Sequence, residues 1–335
     1  MLSFFKSNNP GVVVFYFIYL LAFRLVFLLS APDLTFLQNY HEPLSHFFFS
    51  GWAGAALQTP WVSLTAAALL VFVQSLYVNR IINEQRMTAK KNFLAGLLYI
   101  MLTSVFREGL VLSPALVALT FIIIACERTF CLIKKEKMYG DIFDIGFLIS
   151  LASFFYFPAL ALLLFSLAGL GNLRSFNYRE FVVLVLGLAT PFYLLFTLYY
   201  WNDNLPQMLV AITNHYQQGW FMGFHPHTVE WIQIGGLLAL ALALLAMVPG
   251  VVYSSLIQVR KFVAILMFLL LLMVAAFFLQ QQVSLSHGVW LAFPLSIFLT
   301  MVILQLKRKM IGEVMHIILF LALMAAQYGP LLFSI

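Results

Sequence analysis

The chain has 335 residues, 63% of them hydrophobic and 9% charged, with a mean hydropathy of +0.99. A soluble globular protein carries roughly 25% charged residues, so this composition excludes a large catalytic domain in water and makes the bilayer the solvent. The net charge of +6 comes with no basic-aromatic pattern that would recommend nucleic acid as a partner, and its information lies in where the charges fall between apolar runs.

At about thirty residues per crossing and loop, there is room for about ten or eleven spans. The first apolar run, residues 11–30, follows Lys6, exceeds a signal-peptide core and contains Arg24, so an uncleaved first span is expected. A loop leads to the apolar stretch 47–57, which is too short to cross and belongs at the interface. Residues 61–82 form a second span. Residues 93–106 would reach only ~21 Å at 1.5 Å per residue, so this third helix is expected not to cross fully. Ser113 and Pro114 open a fourth helix to residue 132, with proline in the first turn where its missing N–H costs nothing.

The tract 142–173 is too long for one span and is divided at Phe157 and Pro158. It predicts a hairpin of two helices of ~24 Å each, whose turn must be buried against protein because lipid offers nothing to freed backbone groups. Asp141 and Asp144 sit where carboxylates favour a helix amino end. A seventh helix covers 181–201, with Pro191 as an expected kink. The polar stretch 202–228 and helices at 231–252, 262–279, 289–306 and 311–333 complete an all-α polytopic transmembrane bundle of about eleven helices.

Charge sets the expected orientation. With the amino end in the cytoplasm, Lys6, Arg80, Arg86, Lys90, Lys91, Lys134, Lys135, Lys137, Arg174, Arg179, Arg260, Lys261, Lys307, Arg308 and Lys309 all fall inside, fifteen of the eighteen basic residues. The expectation is a multi-pass inner-membrane protein with a cytoplasmic amino end and a periplasmic carboxyl end. Cys126 and Cys131, the only cysteines, imply no disulfide framework.

The extracytoplasmic side collects Asp33, Glu42, Glu108, Asp203 and Glu230 with His41, His46, His215, His225, His227 and His287. Loops are polar wherever water begins, and that reading stands beside a functional one. Arg24 is more pointed: a charge about two turns inside the first span needs a counter-ion, a wet cavity or a route to lipid phosphate, and Asp33 and Glu108 are its candidate partners. A cavity holding a cation and carboxylates would take a phosphorylated headgroup or a divalent metal, Mg²⁺ or Mn²⁺ suiting carboxylate oxygens. His41 and His46, five apart around a proline, do not have helical metalloprotease spacing. No GxSxG, Walker loop, Rossmann glycine pattern or CxxC occurs.

The order of a basic turn around Asn79, Arg80 and Glu84, a short helix, Arg107 and Glu108, the Ser113 and Pro114 start, a second basic turn, then Gly146, Ser150 and Ser153 leading to Phe157 and Pro158 resembles the membrane module of GT-C glycosyltransferases. The resemblance covers residues 1–201, and residues 202–335 add the long loop and last helices of the same membrane domain. The whole chain also resembles an uncharacterised family of polytopic inner-membrane proteins from Bacteroidota, which brings no assigned activity. The GT-C resemblance implies a sugar drawn from a polyprenyl-phosphate carrier on the extracytoplasmic face. In that scheme Asp33 and Glu108 are the catalytic acids, Asp33 as base, while Arg24, Arg107, His41 and His46 face the substrate and a divalent cation assists. A non-catalytic membrane scaffold that keeps the module, and a metal-dependent oxygenase built on the outer histidines, are the alternatives.

Overall fold

The computed structural model describes residues 2–6, 10–28, 34, 42–52, 54–57, 59–133, 138–173, 177–206, 208–210, 226–253, 255–280, 283–306 and 309–332, and among these every regular element is helical. Eleven principal helices follow the expected order: α1 (Val13–Arg24), α2 (Pro60–Glu84), α3 (Leu94–Thr103), α4 (Pro114–Cys131), α5 (Tyr139–Phe155), α6 (Leu163–Leu173), α7 (Tyr178–Trp201), α8 (Thr228–Val252), α9 (Ile257–Ala276), α10 (Val289–Gln305) and α11 (Lys309–Leu332). Seven stretches are long and apolar enough to cross a membrane: α2, α4, α7, α8, Ile257–Leu279, Leu285–Gln305 and Met310–Gly329. The chain is a multi-pass membrane protein.

Two helices form the centre. Every residue of α3 is buried, as is every residue of α10 from Val289 to Ile303, which is the behaviour of helices apolar on all sides. They pack on each other, with α1 and α2 completing the shell of α3 and α4, α8 and α9 flanking α10. At ten residues α3 is shorter than the expected 93–106 and spans ~15 Å. The chain leaves it through a turn and the short helical turn Arg107–Leu110. Around this centre α7, α8 and α11 present apolar side chains outward, as a lipid-facing shell does.

Hydrogen bonds between distant segments establish two rims. At one, Phe93 N donates to the Phe5 carbonyl (2.9 Å), the Tyr16 hydroxyl donates to the Phe93 carbonyl, and Asn83 Nδ2 donates to the Asn92 carbonyl (2.9 Å). Arg128 on α4 pairs there with Asp141 (3.1 Å) and Asp144 (4.0 Å) on α5. These two carboxylates therefore look sideways to a guanidinium, and α5 starts at Met138 with no side-chain cap bond. Lys6, Arg80, Arg86, Lys90, Lys91, Arg179, Arg260 and Lys261 share this basic rim by helix alternation. Exposed aromatics mark both rims: Tyr139, Tyr178 and Tyr253 on the basic one, Trp61, Tyr200, Trp201 and Trp231 on the other. Tyr178 and Tyr200 lie at opposite ends of α7, ~33 Å apart at 1.5 Å per residue, close to the ~30 Å hydrocarbon thickness.

The predicted hairpin is present as α5 followed by the return Phe157–Leu173, and its turn is satisfied by protein. Phe157 N donates to Glu42 Oε1 (3.2 Å), and Ser45 Oγ donates to the Phe155 carbonyl (2.5 Å). A loop from the far end of α1 thus fastens the break. α5 and α7 cross backbone to backbone: a Cβ at Gly146 would stand 2.2 Å from the Leu184 carbonyl oxygen, and one at Gly187 2.2 Å from that of Phe143. Helix α7 continues through Pro191 without interruption.

Candidate functional site

Arg24 occupies the last turn of α1, 9% exposed, because the helix buries Tyr16, Leu20 and Phe23 on the same side and the next turn continues as Leu25–Leu28. Its Nε and Nη1 are buried with no hydrogen-bond partner among the described residues. Nothing described supplies it with a carboxylate. Glu108 does not, being engaged elsewhere, and Asp33 lies outside the described residues.

A second guanidinium comes to the same end of the molecule. Arg107 Nη2 donates to the Gln327 carbonyl (2.8 Å), while its Nε is buried without a hydrogen-bond partner among the described residues. Burial pulls its pKa below the ordinary arginine value. Gln327, fully buried in α11, donates Nε2 to the carbonyls of Ser104 (2.8 Å) and Val105 (3.2 Å), and its Oε1 has no partner among the described residues. Next to it, the Tyr328 hydroxyl donates to the Ala22 carbonyl (2.7 Å), two residues before Arg24. Helix α11 therefore ties the end of α1 to the turn after α3, with Arg107 against Gln327 and Arg24 two residues past the Ala22 contact. The sequence reading passed over Gln327, although a glutamine within an apolar span was the signal available.

Glu108 has a different task. Its Oε2 accepts from Ser284 Oγ and from Ser286 N (2.7 Å), closing the amino end of the helical turn Leu285–Gly288 that leads into α10. A carboxylate against free N–H groups at a helical start is favourable, yet burial prevails and raises the Glu108 pKa above the usual glutamate value. The two turns approach closely: a Cβ at Gly109 would meet the Thr103 carbonyl oxygen at 2.6 Å, and one at Gly288 the Phe106 ring at 2.3 Å. Ser284 and Ser286, spaced as N-cap serines ahead of an apolar run, also went unnoticed in the sequence.

The histidines do not gather. His287 is buried, with Nε2 2.7 Å from the Met273 carbonyl and Nδ1 3.1 Å from the Tyr156 hydroxyl. Since a carbonyl only accepts, Nε2 carries a proton, and in the neutral ring Nδ1 is then the acceptor for the tyrosine hydroxyl. Its ring lies 4.7 Å from that of Trp290, whose indole N–H donates to the Ala115 carbonyl (2.8 Å). This cluster locks α4, α9, α10 and the hairpin turn together. His46 is exposed at the start of the irregular turn His46–Trp52, and His227 begins α8 in a capping box with Glu230 (2.8 Å). His41, His215 and His225 lie outside the described residues. Among the described residues no three of His, Cys, Asp and Glu converge as a metal site.

The rim opposite the basic one thus combines two arginines, each with buried nitrogens that have no hydrogen-bond partner among the described residues, with a glutamate committed to a helical start. No protein-family model, curated protein or solved structure matches this chain.

Proposed function

We propose that the end of the bundle opposite the basic rim binds a lipid-linked phosphate, and that the chain is a GT-C-like glycosyltransferase taking sugar from a polyprenyl-phosphate carrier on the extracytoplasmic face of the inner membrane. The observation that carries this reading is Arg24, a buried guanidinium with no described counter-ion. A buried charge left unpaired costs several kcal/mol, and an anionic ligand arriving from the bilayer would recover that cost through charge-assisted hydrogen bonds. Arg107, whose buried Nε has no hydrogen-bond partner among the described residues, is the second contact.

In such transfer the acceptor oxygen bonds to the anomeric carbon while the bond from that carbon to the phosphate oxygen breaks, and a base takes the acceptor proton. Arg24 and Arg107 would hold the departing lipid phosphate. Asp33, outside the described residues, keeps the base role that the GT-C resemblance gives it, and Mg²⁺ or Mn²⁺ is the expected assistant. The orientation follows from the basic rim, which the positive-inside rule places in the cytoplasm, leaving the arginine site and the carboxyl end outside.

A non-catalytic scaffold is favoured by one observation: Glu108, the second acid of the GT-C scheme, already caps Leu285–Gly288. Two measurements separate the readings. Wild-type protein in detergent is expected to be stabilised against heat by polyprenyl phosphate and not by the corresponding polyprenol. R24Q is expected to lose that stabilisation while its ligand-free melting temperature rises, because a buried charge with no counter-ion among the described residues has been removed. Equal stabilisation of R24Q and wild type would remove the phosphate site. With a polyprenyl-phosphate sugar, D33N is expected to bind and not transfer; transfer by neither wild type nor variant, with binding intact, identifies the scaffold.

A further inference from the structure

A second feature lies at the opposite rim, away from the arginine pair. North of their contact at Gly146 and Gly187 toward the basic rim, α5 and α7 border a shallow open groove lined by Tyr139, Tyr178, Arg179, Val182 and Val183. Tyr139 and Tyr178 are both at least half exposed, and Val182 opens onto the lipid-facing side of α7, where Val185 and Leu186 are also exposed. Arg179 Nε donates to the Tyr178 hydroxyl (3.3 Å), and its guanidinium carbon lies 5.8 Å from the centre of that ring. The carboxylates that open α5 do not serve it, because Asp141 and Asp144 are turned to Arg128. Among the described residues no carboxylate stands within 4.0 Å of Arg179.

We propose that this groove is a binding site for an anionic glycerophospholipid. Arg179 and the tyrosine hydroxyls would receive the headgroup phosphate, and an acyl chain would lie along Val182 and Val183. Three properties favour a lipid over a protein segment. The groove sits at the end of a span of membrane length, at the level of headgroups. Its rim is aromatic and cationic while its floor is apolar, matching the order of groups in a phospholipid. It is also continuous with the exposed apolar face of α7 at Val182, Val185 and Leu186, where lipid would lie. The preference for anionic lipid follows from Arg179, which has no carboxylate within 4.0 Å among the described residues, whereas Arg80 and Arg128 on the same rim are paired with Glu84, Asp141 and Asp144, and it is independent of the reading of the opposite end.

The test uses the full chain in detergent and native mass spectrometry with phosphatidylglycerol and phosphatidylcholine of identical acyl chains. Wild type is expected to retain phosphatidylglycerol in preference to phosphatidylcholine. R179Q, a change at an exposed position, is expected to lower phosphatidylglycerol occupancy about fivefold, the effect of one basic residue near an anionic lipid surface, while leaving phosphatidylcholine occupancy and melting temperature unchanged. R260Q, an exposed arginine on the same rim but outside the groove, is expected to behave as wild type. Equal retention of the two lipids by wild type, unchanged binding in R179Q, or an equal loss in R260Q would each overturn the site.

Discussion

At the residue scale, Glu108 separates two meanings of a polar residue near a membrane surface. The GT-C resemblance makes it a catalytic acid, and its Oε2 is held by Ser284 and Ser286. Both descriptions share a physical base, since burial makes a carboxyl unusual whatever its job. The raised pKa fixes a sign. A carboxyl whose folded value exceeds its unfolded one contributes stability that is fully present below the unfolded value and is lost as pH rises through the folded one. The melting temperature of the purified protein is therefore expected to contain a component that rises as pH falls toward the ordinary glutamate range. E108Q, which keeps an acceptor for Ser286 N, is expected to lack that component. E108A leaves buried donors unanswered and is expected to lose about 1–3 kcal/mol. An unchanged pH profile in E108Q would refute the assignment. Arg24 was legible as expensive from its position in an apolar run; its failure to pair with Glu108 was not legible, because that depends on which direction each side chain leaves its own turn.

At the element scale, the α5–α7 crossing depends on the absence of two side chains. Close approach of transmembrane helices through small residues is a packing solution available when water offers no driving force between them. G187A is expected to push α7 off α5, since its Cβ would fall 2.2 Å from a main-chain oxygen that cannot rotate away, and to cost about 1–3 kcal/mol in thermal unfolding. G235A on α8, where no atom lies within 4 Å of the added carbon, is expected to be neutral or stabilising by up to about 1 kcal/mol through helix propensity. Equal effects of the two changes would show that the crossing is not a packing constraint. The helix boundaries were largely readable, since Ser113 and Pro114 do start α4, with Ser113 Oγ accepting from Leu116 N (3.2 Å). The length of α3 was less so. Its run of apolar residues continues past Thr103, where the chain turns and Gly109 comes close to the Thr103 carbonyl, a contact made only in the folded molecule.

At the scale of the whole molecule, residues 1–201 and the helices after them share one centre, because α10 packs on α3. A fragment ending at Trp201 would leave α3, only ~15 Å long, without the helix that covers it, and would leave Glu108 without Ser284 and Ser286. Such a fragment is expected to aggregate in detergent while the full chain is monodisperse by size-exclusion chromatography. A folded, monodisperse fragment would show that the first seven helices are self-sufficient.

The number and order of the helices and the hairpin at Phe157 could be deduced from the amino-acid order, whereas the expected total of about ten or eleven spans reduces, among the described residues, to seven helices long enough to cross, because Val13–Phe27, Leu94–Thr103 and Phe157–Leu173 are too short. The bilayer imposes length and polarity one segment at a time, and each segment answers alone. Tertiary structure decided which polar groups are used for architecture and which are left without a partner among the described residues. Ser284 meets Glu108 across 176 positions and Gln327 meets Arg107 across 220, separations over which local pattern carries no register. Helix packing brought those groups together and left buried nitrogens of Arg24 without a described partner, because pairing inside a membrane is set by which helix faces touch.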